Sequence, residues 1–223
     1  MIDFSQEEEQ RTRNYGPVPA GSIVFVTMTL ERPKYPAPDH EFVSISKGGL
    51  RGLWAKFEIS EGTYIGCSWY ENLWLPQGYQ QISLTDGQQT ACNMSGAKLR
   101  AIIEASRGVS AKDASSPANR KRQIGDWLDL SGMEFPARLG IDKDSYEREG
   151  KTYWNNFVSL VITPDRKEYA EVKQRGEIIT DGPVTGDAGN GANRNNGSHA
   201  QAPRQQHSSG GHVADDPFQD QPF

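Results

Sequence analysis

The chain has 223 residues, a formal charge of -5 and a mean hydropathy of -0.71, with 35% hydrophobic residues. No apolar run approaches the ~20 residues of a membrane span, and two cysteines, Cys67 and Cys92, are too few for a disulfide scaffold or a cysteine-rich zinc site. Residues 1–180 hold 22 Lys+Arg against 24 Asp+Glu, and 181–223 hold 2 against 5, so any nucleic-acid surface on this near-neutral body must be a local patch.

The start, Met1-Ile2-Asp3-Phe4-Ser5-Gln6-Glu7-Glu8-Glu9, lacks the basic and apolar regions of a signal peptide. A cytoplasmic protein with reduced thiols and no membrane association is the expectation. Residues 1–20 read as a polar arm, or as a short helix capped by Ser5 and Glu8. Gly21 to Leu30 reads as a strand, with Val24, Val26, Met28 and Leu30 on one face. Pro33, Pro36 and Pro38 then make a loop carrying Arg32, Lys34 and Tyr35.

The stretch 53–75 carries the clearest pattern. Leu53, Ala55, Phe57 and Ile59 share one face, and Trp54, Lys56 and Glu58 the other. Ser60-Glu61-Gly62-Thr63 predicts a hairpin turn. In the next strand Ile65, Cys67, Trp69, Leu73 and Leu75 point one way, interrupted by Glu71, while Tyr64, Ser68, Tyr70, Asn72 and Trp74 point the other. Pro76 ends this strand and a loop follows. Ser95 is expected to cap a helix with Leu99, Ile102 and Ile103 as its apolar stripe.

A polar loop over 107–119 leads to Arg120-Lys121-Arg122, inside the most basic stretch of the chain. That cluster reads either as a phosphate contact or as a solvated loop. Met133 to Ile141 alternates as a strand, 142–151 reads as a charged turn, Tyr153 to Thr163 as the last strand, and 168–174 as a weak further strand.

The order strand, strand, strand, helix, strand, strand matches a mainly β, five-stranded OB-fold barrel with one helix between strands 3 and 4. A β-sandwich is the competing architecture. Three segments result: the arm 1–20, an OB-fold nucleic-acid-binding domain over 21–180, and a disordered linker and acidic tail over 181–223.

Single-stranded nucleic acid needs flat rings for its bases and cations for its backbone. The candidate DNA-binding residues are Trp54, Lys56, Tyr64, Tyr70 and Trp74, with Lys34, Arg51 and Arg138 as phosphate contacts. The same rings also suit packing beneath a neighbouring loop. His40 is the only histidine outside the tail, and Gly150-Lys151-Thr152 lacks the remainder of a phosphate-binding loop. No catalytic residue, metal site or cofactor is expected, and the protein is read as a non-enzyme.

From about Thr180 the chain loses nearly every large apolar residue, then closes on Asp215, Asp216, Pro217, Phe218, Gln219, Asp220, Gln221, Pro222 and Phe223. This ending resembles the acidic carboxyl-terminal tail of bacterial and phage single-stranded DNA-binding proteins, although Gln221 departs from the usual tip. The body resembles phage-encoded members of that family in Pro19-Ala20-Gly21, Tyr70-Glu71-Asn72-Leu73-Trp74 and Asn155-Asn156-Phe157. The resemblance implies protection of exposed DNA strands in phage replication, recombination and repair, within the host cytoplasm. It also implies recruitment of replication or recombination proteins through Asp215, Asp216, Phe218, Asp220, Pro222 and Phe223. An OB-fold recombination accessory protein that binds proteins or duplex DNA is the alternative, followed by a carbohydrate-binding sandwich and a nuclease. The sequence is also compatible with a homo-oligomer.

Overall fold

Period-two alternation builds the centre of the molecule. The computed structural model describes residues 17–148 and 151–184. Strand β1 (Ile23–Glu31) is followed by a hairpin of β2 (Pro36–Ala37) and β3 (His40–Ile45), then by β4 (Arg51–Ile59) and β5 (Ser68–Trp74). Helices α1 (Asp86–Ser106) and α2 (Ser116–Lys121) precede two long strands, β6 (Met133–Arg148) and β7 (Lys151–Val161). Helix α3 (Lys167–Arg175) and the short β8 (Glu177–Ile178) complete the body.

The sheet runs β2-β3-β4-β1-β6-β7, with β5 on β4 and β8 on β1, and all the pairings are antiparallel. It curls into a mainly β half-barrel around the inward-facing residues. Val26, Met28, Leu53, Phe57, Ile59, Leu73, Phe135 and Leu139 are buried there, with Leu99 and Ile102 of α1 closing the core. Phe57 stacks on Trp69 at 5.9 Å and meets Phe135 edge-on at 6.3 Å. Each such ring or branched chain withdrawn from water contributes about 1.5–3 kcal/mol.

Among the described residues no ladder joins β5 to β7. Glu71 spans that seam instead: its Oε1 accepts from the Val158 amide at 2.7 Å and from Trp69 Nε1 at 3.0 Å, and its Oε2 accepts from Lys98 of α1 at 2.6 Å. The residue that interrupts the apolar face is thus the bridge between two strands and a helix.

Several sequence expectations need correction. Helix α1 starts ten residues before the expected site, at Thr85, whose capping box with Gln88 satisfies the first turn; Ser95 is buried inside the helix. The expected strand over 168–174 is α3, because Tyr169 and Val172 face a second apolar cluster of Ile23, Phe25 and Ile162 at helical spacing. The charged segment after Ile141 continues β6 as far as Arg148, and the expected loops at 33–39 and 107–119 contain β2 and part of α2. The chain turns over 60–67, so Tyr64 and Ile65 precede β5 instead of lying in it.

Contacts also extend past both edges of the 21–180 segment. Val18 is fully buried, and Asn156 holds it by accepting its amide at 2.8 Å and donating to its carbonyl at 2.9 Å. Pro183 accepts the Ala20 amide at 3.0 Å. The arm before residue 17 and the segment after 184 lie outside the described residues.

Candidate functional site

The outer face of the sheet is divided by α3. Over the first half of β1 and the adjoining parts of β6 and β7, α3 covers Ile23, Phe25, Leu160 and Ile162. The outer face of β4 and β5 lies beyond that cluster. Strand register arranges its residues in rows: Thr27, Glu58 and Ser68; Thr29, Lys56 and Tyr70; Glu31, Trp54 and Asn72; then Gly52 and Trp74.

Trp54 and Tyr70 are diagonal neighbours in this array, and their rings stack at 5.4 Å between centroids with 10° between planes. Tyr70 is 46% exposed and its hydroxyl donates to Glu31 Oε1 at 3.3 Å. Partial desolvation, and then the nearby Glu31 carboxylate, push the phenol above its usual range. Lys56 lies directly across from Tyr70 and donates to Glu58 Oε2 at 2.7 Å, a bond that raises its ammonium pKa and keeps it charged.

Trp74 lies against Gly52. A Cβ at that glycine would come within 2.8 Å of the indole Cε3, so a side chain there would displace the ring. Trp74, Trp54 and Tyr70 therefore occupy successive rows, which is the aromatic set expected from the parity of 53–75. Tyr64 does not join them: it sits half-buried in the 60–67 turn and packs against the main core.

The expected cations scatter. Lys34 is exposed in the loop after β1, with its Nζ 5.3 Å from the centre of the Tyr35 ring, and Tyr35 is itself 73% exposed. Arg51 was expected to contact phosphate, but its guanidinium is buried and bound through one nitrogen to both oxygens of Asp39, at 2.8 and 2.7 Å. That pairing holds Asp39 below the usual carboxylate range. Arg138 pairs with Glu168 of α3 at 2.9 Å, outside the aromatic rows.

Within the basic run, Arg122 is a structural clamp. It donates to the buried Glu104 at 2.6 Å and to the carbonyls of Ser110 and Asp113, tying the 107–123 segment to α1. Arg120 and Lys121 remain exposed. On the aromatic face Glu31, Glu58 and the exposed Glu134 outnumber Lys56.

Sequence reasoning passed over three participants. Tyr35 stood in a proline loop with no periodicity to flag it. Gln80 replaces a strand rung, accepting the Arg51 amide and donating to the carbonyls of Arg51 and Leu75. His40 accepts the Phe42 amide through Nδ1, which places its proton on Nε2 facing Asp126 at 3.2 Å. His40, Asp126, Leu128, Arg32, Pro38 and Phe42 line part of an open depression of about 660 Å³ beside the β2–β3 hairpin. The tail residues Asp215, Asp216, Phe218, Asp220, Pro222 and Phe223 lie outside the described residues. Among the described residues no helix is long and apolar enough to cross a membrane, and no three His, Cys, Asp or Glu side chains are grouped to hold a metal ion.

No family model matches the chain, and no curated protein matches it. Among solved structures it is similar to yeast RPA bound to ssDNA, at 13% identity over 76% of this chain and 90% of that one, with a TM-score of 0.27. That likeness is too loose to carry an argument.

Proposed function

We propose that this protein binds single-stranded DNA on the outer face of β4 and β5, with bases stacking on Trp54, Tyr70 and Trp74. The observation that carries this reading is the stacked Trp54–Tyr70 pair on the part of the sheet that α3 leaves uncovered. The fold gains nothing from leaving the Tyr70 ring 46% exposed beside the half-buried Trp54 and Trp74, whereas a base stacked on such a ring contributes about 1–3 kcal/mol with little regard to sequence. Lys56 supplies a cation on the face itself and exposed Lys34 one in the loop after β1, with Lys56 exchanging Glu58 for phosphate. Arg51 and Arg138 are committed to carboxylates and carry no part of this proposal. The role is binding without catalysis.

In this reading the body is an OB-type barrel built on the longer strands of its eight-stranded sheet, from a phage-encoded protein that guards exposed strands during replication and recombination. Its acidic tail recruits partner proteins and competes with DNA for the same face, helped by the mM effective concentration of a short tether. Removing 185–223 then raises DNA affinity at low salt, and unchanged or weaker binding overturns the competition.

Glu31, Glu58 and Glu134 on the same face favour the second reading, an accessory protein whose aromatic face meets another protein. Titration with oligo-dT decides between them, read by the fluorescence of the five tryptophans. Saturable quenching that duplex DNA does not reproduce supports strand binding. No quenching at low salt overturns it.

A further inference from the structure

Two glycines on the outer face each lie opposite an aromatic ring. Gly52 in β4 faces Trp74 in β5, and Gly140 in β6 faces Phe157 in β7. A Cβ at Gly140 would fall 2.5 Å from Phe157 Cζ and 2.6 Å from Cε1, so the ring lies over the bare glycine backbone. Glycine within a strand forfeits side-chain packing and loses more entropy on folding than alanine. Here it gives a ring a seat on the sheet surface, as Gly52 does for Trp74.

Phe157 is 36% exposed, and its outward neighbours Asn155 and Ser159 are exposed as well. Its parity is opposite to that of Val158, whose side chain is in the core and whose amide meets Glu71 across the seam. On the other side of that seam Glu71 is flanked by Tyr70 and Asn72, which point outward. Tyr70 and Phe157 therefore stand on one face, on either side of the seam. Exposed Lys143 lies three residues beyond Gly140 on the same ribbon.

We infer that Phe157, seated on Gly140, is a further stacking platform, and that a bound single strand crosses the seam from Trp54 and Tyr70 onto the β6–β7 ribbon. This rests on the strand-binding reading above. A ring that merely shields its glycine accounts for the packing equally well, so the test must separate cover from stacking.

Phe157→Leu keeps apolar cover and removes the flat π face, while Phe157→Tyr keeps both. Affinities of the full chain and both variants are measured for oligo-dT of about 4 and about 16 nucleotides, the span of site sizes for one such domain. Wild type and Phe157→Tyr are expected to gain affinity from the short to the long oligonucleotide. Phe157→Leu is expected to match them on the short one and fall about 5-fold to 100-fold behind on the long one. Equal gain by all three, or no gain with length by wild type, overturns the crossing path while leaving strand binding intact. Absence of binding by wild type at either length removes the reading beneath it. If Phe157→Leu does not fold, photocrosslinking of wild type to a bromouracil-substituted strand gives the same decision: a crosslink in the peptide containing Phe157 supports the path, and crosslinks confined to β4 and β5 overturn it.

Discussion

Glu71 accepts the backbone amide of Val158 at 2.7 Å across a seam where β5 and β7 share no ladder. With Lys98 held at 2.6 Å by its other oxygen, one carboxylate fastens β5 to β7 and to α1. The carboxylate side chain is only 14% exposed, so removing it strands an ammonium, an indole N–H and a backbone amide together. Glu71→Ala is expected to lower stability by about 3–5 kcal/mol, the usual loss on breaking a buried charge pair. Glu71→Gln keeps one acceptor for Val158 and should lose clearly less. Urea denaturation of the three proteins measures this, and equal losses would show that the amide bond across the seam contributes nothing.

The stacked pair on the outer face gives a second expectation. Trp54→Ala and Tyr70→Ala should each weaken oligo-dT binding by about 5-fold to 100-fold, with a drop in melting temperature of about 2–4 °C for each kcal/mol of lost ring packing. Because each ring rests on the other, the double variant should lose less than the two single losses combined. Gly52→Val, which displaces the Trp74 ring, belongs to the same series. Fluorescence anisotropy of a labelled oligonucleotide reads all four, and full affinity in Trp54→Ala would remove the stacking face from consideration.

The Asp39–Arg51 pair sets an acid limit on stability. The Arg51 hydrogen bond holds Asp39 below its ordinary value, as backbone and hydroxyl donors hold Asp113, Asp126 and Asp165. A depressed carboxylate stabilises the fold above the unfolded value of about 4 and loses that contribution as pH falls through the lower folded value. Melting temperature should therefore fall as pH drops below about 4. Asp39→Asn leaves the buried Arg51 without its counter-charge, so it should melt lower at pH 7 and lose less on acidification. An unchanged acid slope in that variant would exclude the pair as a contributor.

Much of this was legible in residues 53–75, because a strand with one face in the core and one in solvent must alternate. The alternation alone places Trp54, Lys56, Tyr70 and Trp74 on one face. It could not place their partners. Arg51 reads as a free cation because Asp39 sits in a proline loop twelve residues away, brought near only by the β2–β3 hairpin. Glu71 reads as a break in a pattern because its partner is a backbone amide 87 residues later. Residues 168–174 read as a weak strand because the surface that selects a helix, Ile162 and Phe25 meeting Val172 and Tyr169, is made by other parts of the chain. The start of α1 was hidden by Gly87 and Gly96, poor helix formers that weaken the periodic signal.

Scarcity of open cations on the aromatic face gives the last expectation. Each phosphate neutralised on a single strand adds about -0.7 to the slope of log K against log salt. With Lys34 and Lys56 as the contacts, the slope should be near about -1.4. A slope steeper than about -4 would require a basic track that this face does not present, and would move the DNA elsewhere on the molecule.

The hydrogen bonds that join Ala20 to Pro183 and to Thr180 bring the two ends of the described body side by side. A short peptide could therefore join residue 17 to residue 184, with the backbone reopened at an exposed turn, and the rearranged polypeptide would keep its order of strand pairing. By the same geometry, this body can be spliced into an exposed loop of an unrelated host, carrying its aromatic face as a portable module.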